Sequence, residues 1–292
     1  MSDDPALPVI ELGGIRVWDA REWFPYKGDD GAVAFRPRTA EQIEEIAIHH
    51  DAVAFSGADL NFNGSTVDEE RDRMQASYNW HTKHWPGASM VGGGWNWPGM
   101  GYHLYTFPSG RIYLVGEILT IRAHVAYRNT RSGGVVGASD FTRVKPPPAH
   151  IAAFARATAF VWLVRGAELP VEGHRTWAAQ NPVEVRRAWV TSCPGDKYDL
   201  WIPDVRRVAK IEYKRALKAP SLIVQEGDEM ATFVKDPSDP DQWVWIITAN
   251  TRRRMHGERV ALAAALGISE EVRDIDATAL DRLTEIQTPG FD

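Results

Sequence analysis

Histidines and the single cysteine of the chain are the side chains best suited to chemistry. His49 and His50 end an apolar run, His174 ends a second one, and Cys193 directly precedes a Pro-Gly pair. Because successive side chains of a strand point to opposite faces, only one of His49 and His50 can face a given site. Two imidazoles and one thiolate would leave a fourth position open, as in a catalytic zinc site. Zinc in such a site polarises a carbonyl and lowers the pKa of a bound water to about 7.

The same residue types leave other interpretations open. Cys193 could be the nucleophile of a cysteine protease with a spatially adjacent histidine, although the following Pro-Gly pair and the histidines at strand ends suit metal binding better. A blue-copper centre uses the same donors, but no axial methionine is suitably placed and the α/β pattern argues against it. Buried His and Cys side chains that only pack are also common. The chain has no nucleophile elbow, P-loop, H-E-x-x-H or complete G-x-G-x-x-G motif.

Short strands and helices must position these side chains. The predicted strands and apolar strand-like segments are 15–18, 46–49, 102–107, 111–116, 133–138 and 171–173, with a hairpin turn at Pro108-Ser109-Gly110. The predicted helices are 68–85, a helix that opens at Pro146–Pro148 and ends at Gly166, and a last helix through Arg207. The Gly- and Pro-rich stretch Pro86–Gly101 is predicted to be a loop. This mixture predicts the α/β class.

The domain organisation follows from changes along the chain. We expect an N-terminal extension at residues 1–38, a catalytic domain at 39–207 and a small α+β C-terminal module at 215–292. The module is predicted to contain strands at 221–224, 230–235 and 242–248 and helices at 259–266 and 278–286.

Composition excludes several function classes. The 292 residues carry a formal net charge of -6, which argues against nucleic acid as a partner. The one cysteine excludes an intrachain disulfide framework. The N-terminus shows no secretory signal, so we expect synthesis in the cytoplasm. No window of about 18 uncharged apolar residues occurs, so we expect no stable membrane association.

Six short motifs occur in an order that matches a known family. They are IAIHH (46–50), GMGYHL (99–104), SGRIYLVGE (109–117), AHVAYRNT (123–130), EGHR (172–175) and TSCPGD (191–196). In this order the chain resembles the type-2 N-acetylmuramoyl-L-alanine amidases, which include peptidoglycan recognition proteins and phage lysozymes of the T7 type. The resemblance covers about residues 40–207. It implies a central mixed β-sheet flanked by helices, with Zn²⁺ in a surface groove.

The resemblance also implies roles for individual residues. His49, His174 and Cys193 would be the zinc ligands, which leaves His50 a structural role. Tyr102 would face the metal-bound water, and the hydroxyl of Thr191 would support the oxyanion.

Other positions map onto the substrate groove. His124, Asn129 and Thr130 would contact the substrate. Trp95 and Trp97 would form a wall of the groove, where one of them could stack on a glycan. Arg175 would orient the site from behind the ligands. His81 and His84 form an H-x-x-H pair, which we interpret as a solvated helix face.

Two departures from the family pattern bear on this assignment. Nineteen positions separate His174 from Cys193, so the intervening segment must loop out and return the cysteine to the metal. Some relatives place a glutamate as general base after the Asn-Thr segment, but Gly133–Ala138 contains no carboxylate. The chemistry should therefore resemble the branch that uses a tyrosine.

The resemblance implies zinc-dependent hydrolysis of the bond between the lactyl group of N-acetylmuramic acid and L-alanine. Peptidoglycan is the expected partner, and a phage endolysin that is released to the cell wall is the preferred role. The C-terminal module would serve wall binding or self-association. The alternatives are a non-hydrolytic peptidoglycan-binding protein, a cytoplasmic muropeptide-recycling amidase and a cysteine protease.

Overall fold

A sheet that mixes parallel and antiparallel strands forms the centre of the molecule. The computed structural model describes residues 5–26, 35–52, 65–82, 97–142, 144–188 and 191–218, together with the backbone of three later strands. The strands of the main part are β1 (Val9–Leu12), β2 (Ile15–Asp19), β3 (Glu45–His50), β4 (Leu104–Thr106), β5 (Ile112–Leu114), β6 (Ser132–Gly137) and β7 (Val171–Gly173). They lie in the order β1-β2-β5-β4-β6-β3-β7. The predicted α/β class with a central mixed sheet flanked by helices is confirmed.

The strands that precede the candidate histidines are parallel neighbours. β3 pairs with β6 on one side and with β7 on the other, and Ile48 lies opposite Gly173. Ile46 and Ile48 point into the main hydrophobic core, so the alternation of the strand places His49 on the other face. Because carboxyl ends of parallel strands meet at one edge of a sheet, His49 lies beside the residue that follows β7, which is His174.

Helices pack on both faces of the sheet. Their bounds are α1 (Val67–Thr82), α2 (Pro148–Arg165), α3 (His174–Ala179), α4 (Val183–Ala188) and α5 (Ile202–Ala216). On one face, α2 packs between the sheet and α5, and the ring of Trp162 meets that of Tyr213. On the other face, Met74 and Tyr78 of α1 pack against Tyr105 of β4. Burial of each such large side chain stabilises the fold by roughly 1.5–3 kcal/mol.

The apolar sequence of the long helix α2 is explained by its position in the fold. It begins with Pro148, where a missing backbone N–H costs nothing, and it is capped by Gly166 with φ 75°. Most of its side chains are buried because the sheet and α5 enclose it. The predicted helix from Pro146–Pro148 to Gly166 is confirmed.

Several predicted elements differ in their ends. The predicted helix 68–85 is observed as α1 up to Thr82, and its last three predicted residues, 83–85, lie outside the described part. The last helix continues past Arg207 to Ala216. The segment between His174 and Cys193, expected to be loose, contains the short helices α3 and α4.

Strands from residues 9–19 and from residues 221–247 lie in the same sheet as the central strands. β2 pairs in parallel with β5, and β1 pairs with a later strand, β8 (Ser221–Glu226). β9 (Glu229–Lys235) and β10 (Trp243–Ile247) extend the sheet from β8, so the three strands predicted for the C-terminal module are present. The boundaries 1–38, 39–207 and 215–292 stay predictions, and the helices predicted at 259–266 and 278–286 lie outside the described residues.

Among the described helices, none has the length and apolar character needed to cross a bilayer.

Candidate metal centre

Two histidines and the cysteine converge at the carboxyl ends of β3 and β7. The candidate ligand atoms of His49, His174 and Cys193 all lie within 4.8 Å of one another, and the Cys193 sulfur is 3.6 Å from Nδ1 of His49. The 19-position segment therefore does return Cys193 to the two histidines. Nitrogen and sulfur donors in this number suit zinc and other borderline-soft cations better than calcium or magnesium, which prefer oxygen. The donor set fits a metal ion.

The backbone around Cys193 packs directly on the end of β7. A side chain at Gly173 would place its Cβ 2.6 Å from Cδ of Pro194, and one at Gly195 (φ 113°) would lie 2.2 Å from the carbonyl oxygen of Phe141. These two glycines let the Cys-Pro-Gly turn approach the sheet. The N–H of Arg175 donates to the carbonyl of Cys193 over 2.8 Å. This hydrogen bond connects the backbone at Cys193 to the residue that directly follows His174.

Arg175 adds a second connection between the same segments. Its guanidinium donates to the carbonyl of Ser192 (3.1 Å) and to the carboxylate of Asp196 (2.5 Å), and it lies over the ring of Tyr198. These contacts fix the turn that carries Cys193 and do not involve the three candidate ligand side chains, so the predicted orienting role of Arg175 stays a prediction.

Burial sets the protonation of the three groups. The pKa of His49 is lowered well below its ordinary value, first by burial and then by the neighbouring His174, and the pKa of His174 falls to about 4, chiefly through burial. Burial raises the pKa of the Cys193 thiol to about 12. Near pH 7 both imidazoles are therefore neutral and can offer a lone pair, whereas the thiol needs a bound cation to give up its proton.

His50 faces away from this cluster, as expected. Its Nδ1 accepts a hydrogen bond from the N–H of Phe141 (3.1 Å), and its ring stacks on that of Phe141. The backbone N–H of His50 donates to the Cys193 sulfur over 3.4 Å. His50 thus contacts the cluster only through its main chain among the described contacts.

An aromatic wall stands next to His49. The ring of Tyr102 lies 5.1 Å from His49 and 5.1 Å from His81, and His81 stacks on Trp97 at 4.9 Å. Burial raises the pKa of Tyr102 well above its ordinary value, with Cys193 and Asp51 adding to the shift. The phenol therefore stays protonated and can donate a hydrogen bond. Trp95, the other tryptophan predicted in this wall, lies outside the described residues.

His81 corrects one prediction and adds a residue that sequence reasoning missed. The interpretation of a solvated helix face is wrong for His81, which is buried and whose Nδ1 faces the N–H of Gly101 at 3.4 Å. The helical spacing of His81 from Met74 and Tyr78 could have predicted its burial, because all three residues lie on the buried face of α1. His84 lies outside the described residues.

The structure describes four further residues that were predicted for the site, which are Thr191, Asn129, Thr130 and His124. The Thr191 hydroxyl accepts a hydrogen bond from the N–H of Cys193 (3.1 Å), which leaves its own hydrogen free to be donated. The side-chain oxygen of Asn129 accepts from the N–H groups of His124 and Val125 (2.9 and 2.7 Å), so it shapes the 124–129 segment. Thr130 is exposed, and His124 is buried beside His49. Contact of these side chains with substrate stays a prediction.

Comparisons with known proteins found similarity in structure alone. No protein-family model and no curated protein matches this chain. Solved structures that resemble it include the ectodomain complex of peptidoglycan recognition proteins LCa and LCx bound to tracheal cytotoxin, with 18% identity, a TM-score of 0.45 and coverage of 62% of this chain and 92% of that one. Drosophila PGRP-LB follows with 20% identity, a TM-score of 0.41 and coverage of 62% and 88%. The endolysin N-acetylmuramoyl-L-alanine amidase LysCS from Clostridium intestinale has 17% identity, a TM-score of 0.36 and coverage of 60% and 88%.

Proposed function

We propose that this protein is a zinc-dependent amidase that hydrolyses the bond between the lactyl group of N-acetylmuramic acid and L-alanine in bacterial peptidoglycan. The convergence of His49, His174 and Cys193 within 4.8 Å carries the proposal. Each of these residues comes from a different one of the six motifs through which the chain resembles type-2 amidases, and that resemblance supports the choice of substrate.

The residues around the cluster have complementary tasks. Zinc, when bound, would supply a Lewis acid that polarises the amide carbonyl and makes water more acidic. His49, His174 and Cys193 would hold it. Tyr102, whose raised pKa keeps the phenol protonated, donates a hydrogen bond to the oxygen that gains charge as the amide is attacked. The Thr191 hydroxyl supports the same oxygen. His81, which is itself stacked on Trp97, packs against one side of the Tyr102 ring and fixes its place beside His49.

The alternatives are weaker on specific grounds. A non-hydrolytic peptidoglycan-binding protein would not need three converging donors. A cysteine protease needs a thiol with a depressed pKa, whereas burial raises that of Cys193 to about 12. A cytoplasmic muropeptide-recycling amidase would use the same residues, so it differs only in the substrates it accepts.

The biological role is part of the proposal. We favour a phage lysin that is made in the cytoplasm and acts on the cell wall after release. Its support is chemical: a chain with one cysteine needs no disulfide to fold and keeps its thiol reduced in the cytoplasm.

The products of digestion test the function. Purified protein should release soluble fragments from sacculi, and mass spectrometry should show intact glycan chains and stem peptides with a new free L-alanine amino terminus. Exhaustive chelation should stop the release, and added zinc should restore it. Activity on soluble muropeptides but not on sacculi would indicate the recycling amidase. Sensitivity to iodoacetamide together with indifference to chelation would contradict a metal-dependent reaction.

Loss of the Arg175 side chain should weaken metal binding. We expect Arg175→Ala to lower zinc affinity about 10–100-fold, because the turn that carries Cys193 loses its bonds through Ser192 and Asp196. Competition with a chromophoric chelator measures the affinity. Arg207→Ala, which removes an exposed arginine that pairs with Asp204 on α5, is the matched control. Equal affinities of Arg175→Ala and the control would contradict the role of Arg175.

A further inference from the structure

His124 lies directly behind His49, on the side away from the cysteine. Its Nδ1 is 3.2 Å from Nε2 of His49, and the two rings meet edge to face at 83°. Nδ1 of His49 points the other way, 3.6 Å from the Cys193 sulfur. One nitrogen of His49 therefore faces the cluster, and the other faces His124.

The hydrogen-bond partners of His124 decide which nitrogen of each ring carries a proton. Nε2 of His124 lies 3.2 Å from the carbonyl oxygen of Ser132. A carbonyl can only accept, so Nε2 of His124 must be the N–H. In a neutral ring Nδ1 is then an acceptor, and Nε2 of His49 must donate to it. This leaves Nδ1 of His49 with a free lone pair on the side of the cluster.

The surroundings of His124 are built to hold its ring in this place. A Cβ at Gly134 of β6 would lie 2.9 Å from Cγ of His124, so the missing side chain there makes room for the imidazole. The side chain of Asn129 fixes the His124 backbone through two N–H groups. The ring is buried, and its described polar partners are His49 and the Ser132 carbonyl, so no carboxylate among these contacts stabilises a second proton and the neutral form is kept.

We infer that His124 is a positioning residue, which acts with the Ser132 carbonyl to hold His49 in the tautomer and orientation that present Nδ1 to the metal ion. This role rests on the metal site of the proposed function. It differs from the substrate contact expected at His124, because both ring nitrogens are engaged inside the protein and only 7% of the residue is exposed. Partners of this kind set the basicity and direction of metal-bound imidazoles.

Two measurements test the inference without relying on catalysis. Long-range ¹H–¹⁵N NMR correlations of the metal-free wild-type protein should show His49 and His124 as Nε2–H tautomers. His124→Leu should lower zinc affinity about 10–100-fold in chelator competition. His124→Asn places an acceptor near the position of Nδ1 and should recover most of the affinity. His150→Leu, which changes a histidine packed on Phe154 in the main core, controls for loss of a buried imidazole.

The outcomes separate this inference from the proposed function. A wild-type spectrum with the proton of His49 on Nδ1 would overturn it, as would unchanged zinc affinity in a folded His124→Leu variant. If His124 instead contacts only substrate, activity would fall in that variant while affinity and tautomer stayed the same. A protein that binds zinc but leaves peptidoglycan intact would remove the proposed function, and the tautomer and affinity measurements would still decide the role of His124.

Discussion

Cys193→Ser should abolish the release of fragments from sacculi, down to the level of a protein-free reaction, while the fold persists. The change removes the one thiolate from the candidate ligand set and leaves His49 and His174 as donors. A serine hydroxyl is a poor zinc ligand, because zinc in proteins is bound by thiolate, imidazole or carboxylate. Zinc affinity should fall by more than the roughly 10–100-fold that loss of an indirect partner costs.

The fold should survive this change because the contacts of Cys193 can be kept. A serine oxygen can still accept the hydrogen bond that the sulfur receives from the N–H of His50. Ser192→Ala is the matched control, since it alters the neighbouring residue, whose backbone carbonyl makes the contacts with Arg175 and Gly195. Fragment release and zinc stoichiometry should be measured on all three proteins, with circular dichroism to verify folding. Full activity of Cys193→Ser would refute the metal-dependent mechanism.

The largest expected effect on stability comes from Asp51, the residue that follows β3. Its carboxylate receives two 2.5 Å hydrogen bonds from Arg73 of α1, one from the Tyr105 hydroxyl and one from the N–H of Ser139. The side chains of Asp51 and Arg73 are 0% and 4% exposed. Asp51→Asn would remove the carboxylate that pairs with this buried guanidinium through two hydrogen bonds, so we expect a loss of about 3–5 kcal/mol in the free energy of unfolding.

Urea denaturation in the presence of a chelator measures this loss without a contribution from bound metal. The double variant Asp51→Asn with Arg73→Met should be more stable than Asp51→Asn alone, because it also removes the buried positive charge that Asp51 balances in the wild-type protein. Asp204→Asn serves as the control, since its pair with Lys145 is exposed and its loss should barely move the denaturation midpoint. A midpoint for Asp51→Asn equal to that of the control would show that the buried pair does not hold α1 to the sheet.

The convergence of the three candidate ligands could be predicted because it depends on local patterns. An apolar run that ends in two histidines predicts a strand with one imidazole on each face, and the order of the motifs supplied the partners of His49. The parallel direction of the strands then predicts that His49 and His174 lie close together, because the carboxyl ends of parallel strands meet at one edge of the sheet.

The positioning contacts were harder to predict because they depend on packing across distant segments. Asp51 and Arg73 are 22 positions apart, and nothing local distinguishes this pair among the 39 acidic and 33 basic residues of the chain. The proton positions on His49 and His124 depend on a carbonyl at Ser132, a group that every residue carries. The parallel pairing of β2 with β5 likewise joins residues about a hundred positions apart, so the neighbour of β2 in the sheet could not be predicted from local patterns.

The three candidate ligands lie on different kinds of backbone, so they lose different amounts of conformational entropy when an ion binds. Neighbouring strands are about 4.8 Å apart, which is close to the span of the three candidate ligand atoms. His49 and His174 follow paired residues of β3 and β7, so the hydrogen-bonded sheet has already restricted their backbones before any metal arrives. Cys193 lies instead on a turn between the two short helices and α5. When an ion binds, the loss of backbone conformational freedom therefore occurs mainly in that turn. We expect the rate at which the bound metal ion exchanges to depend on motion of the turn more than on motion of the sheet.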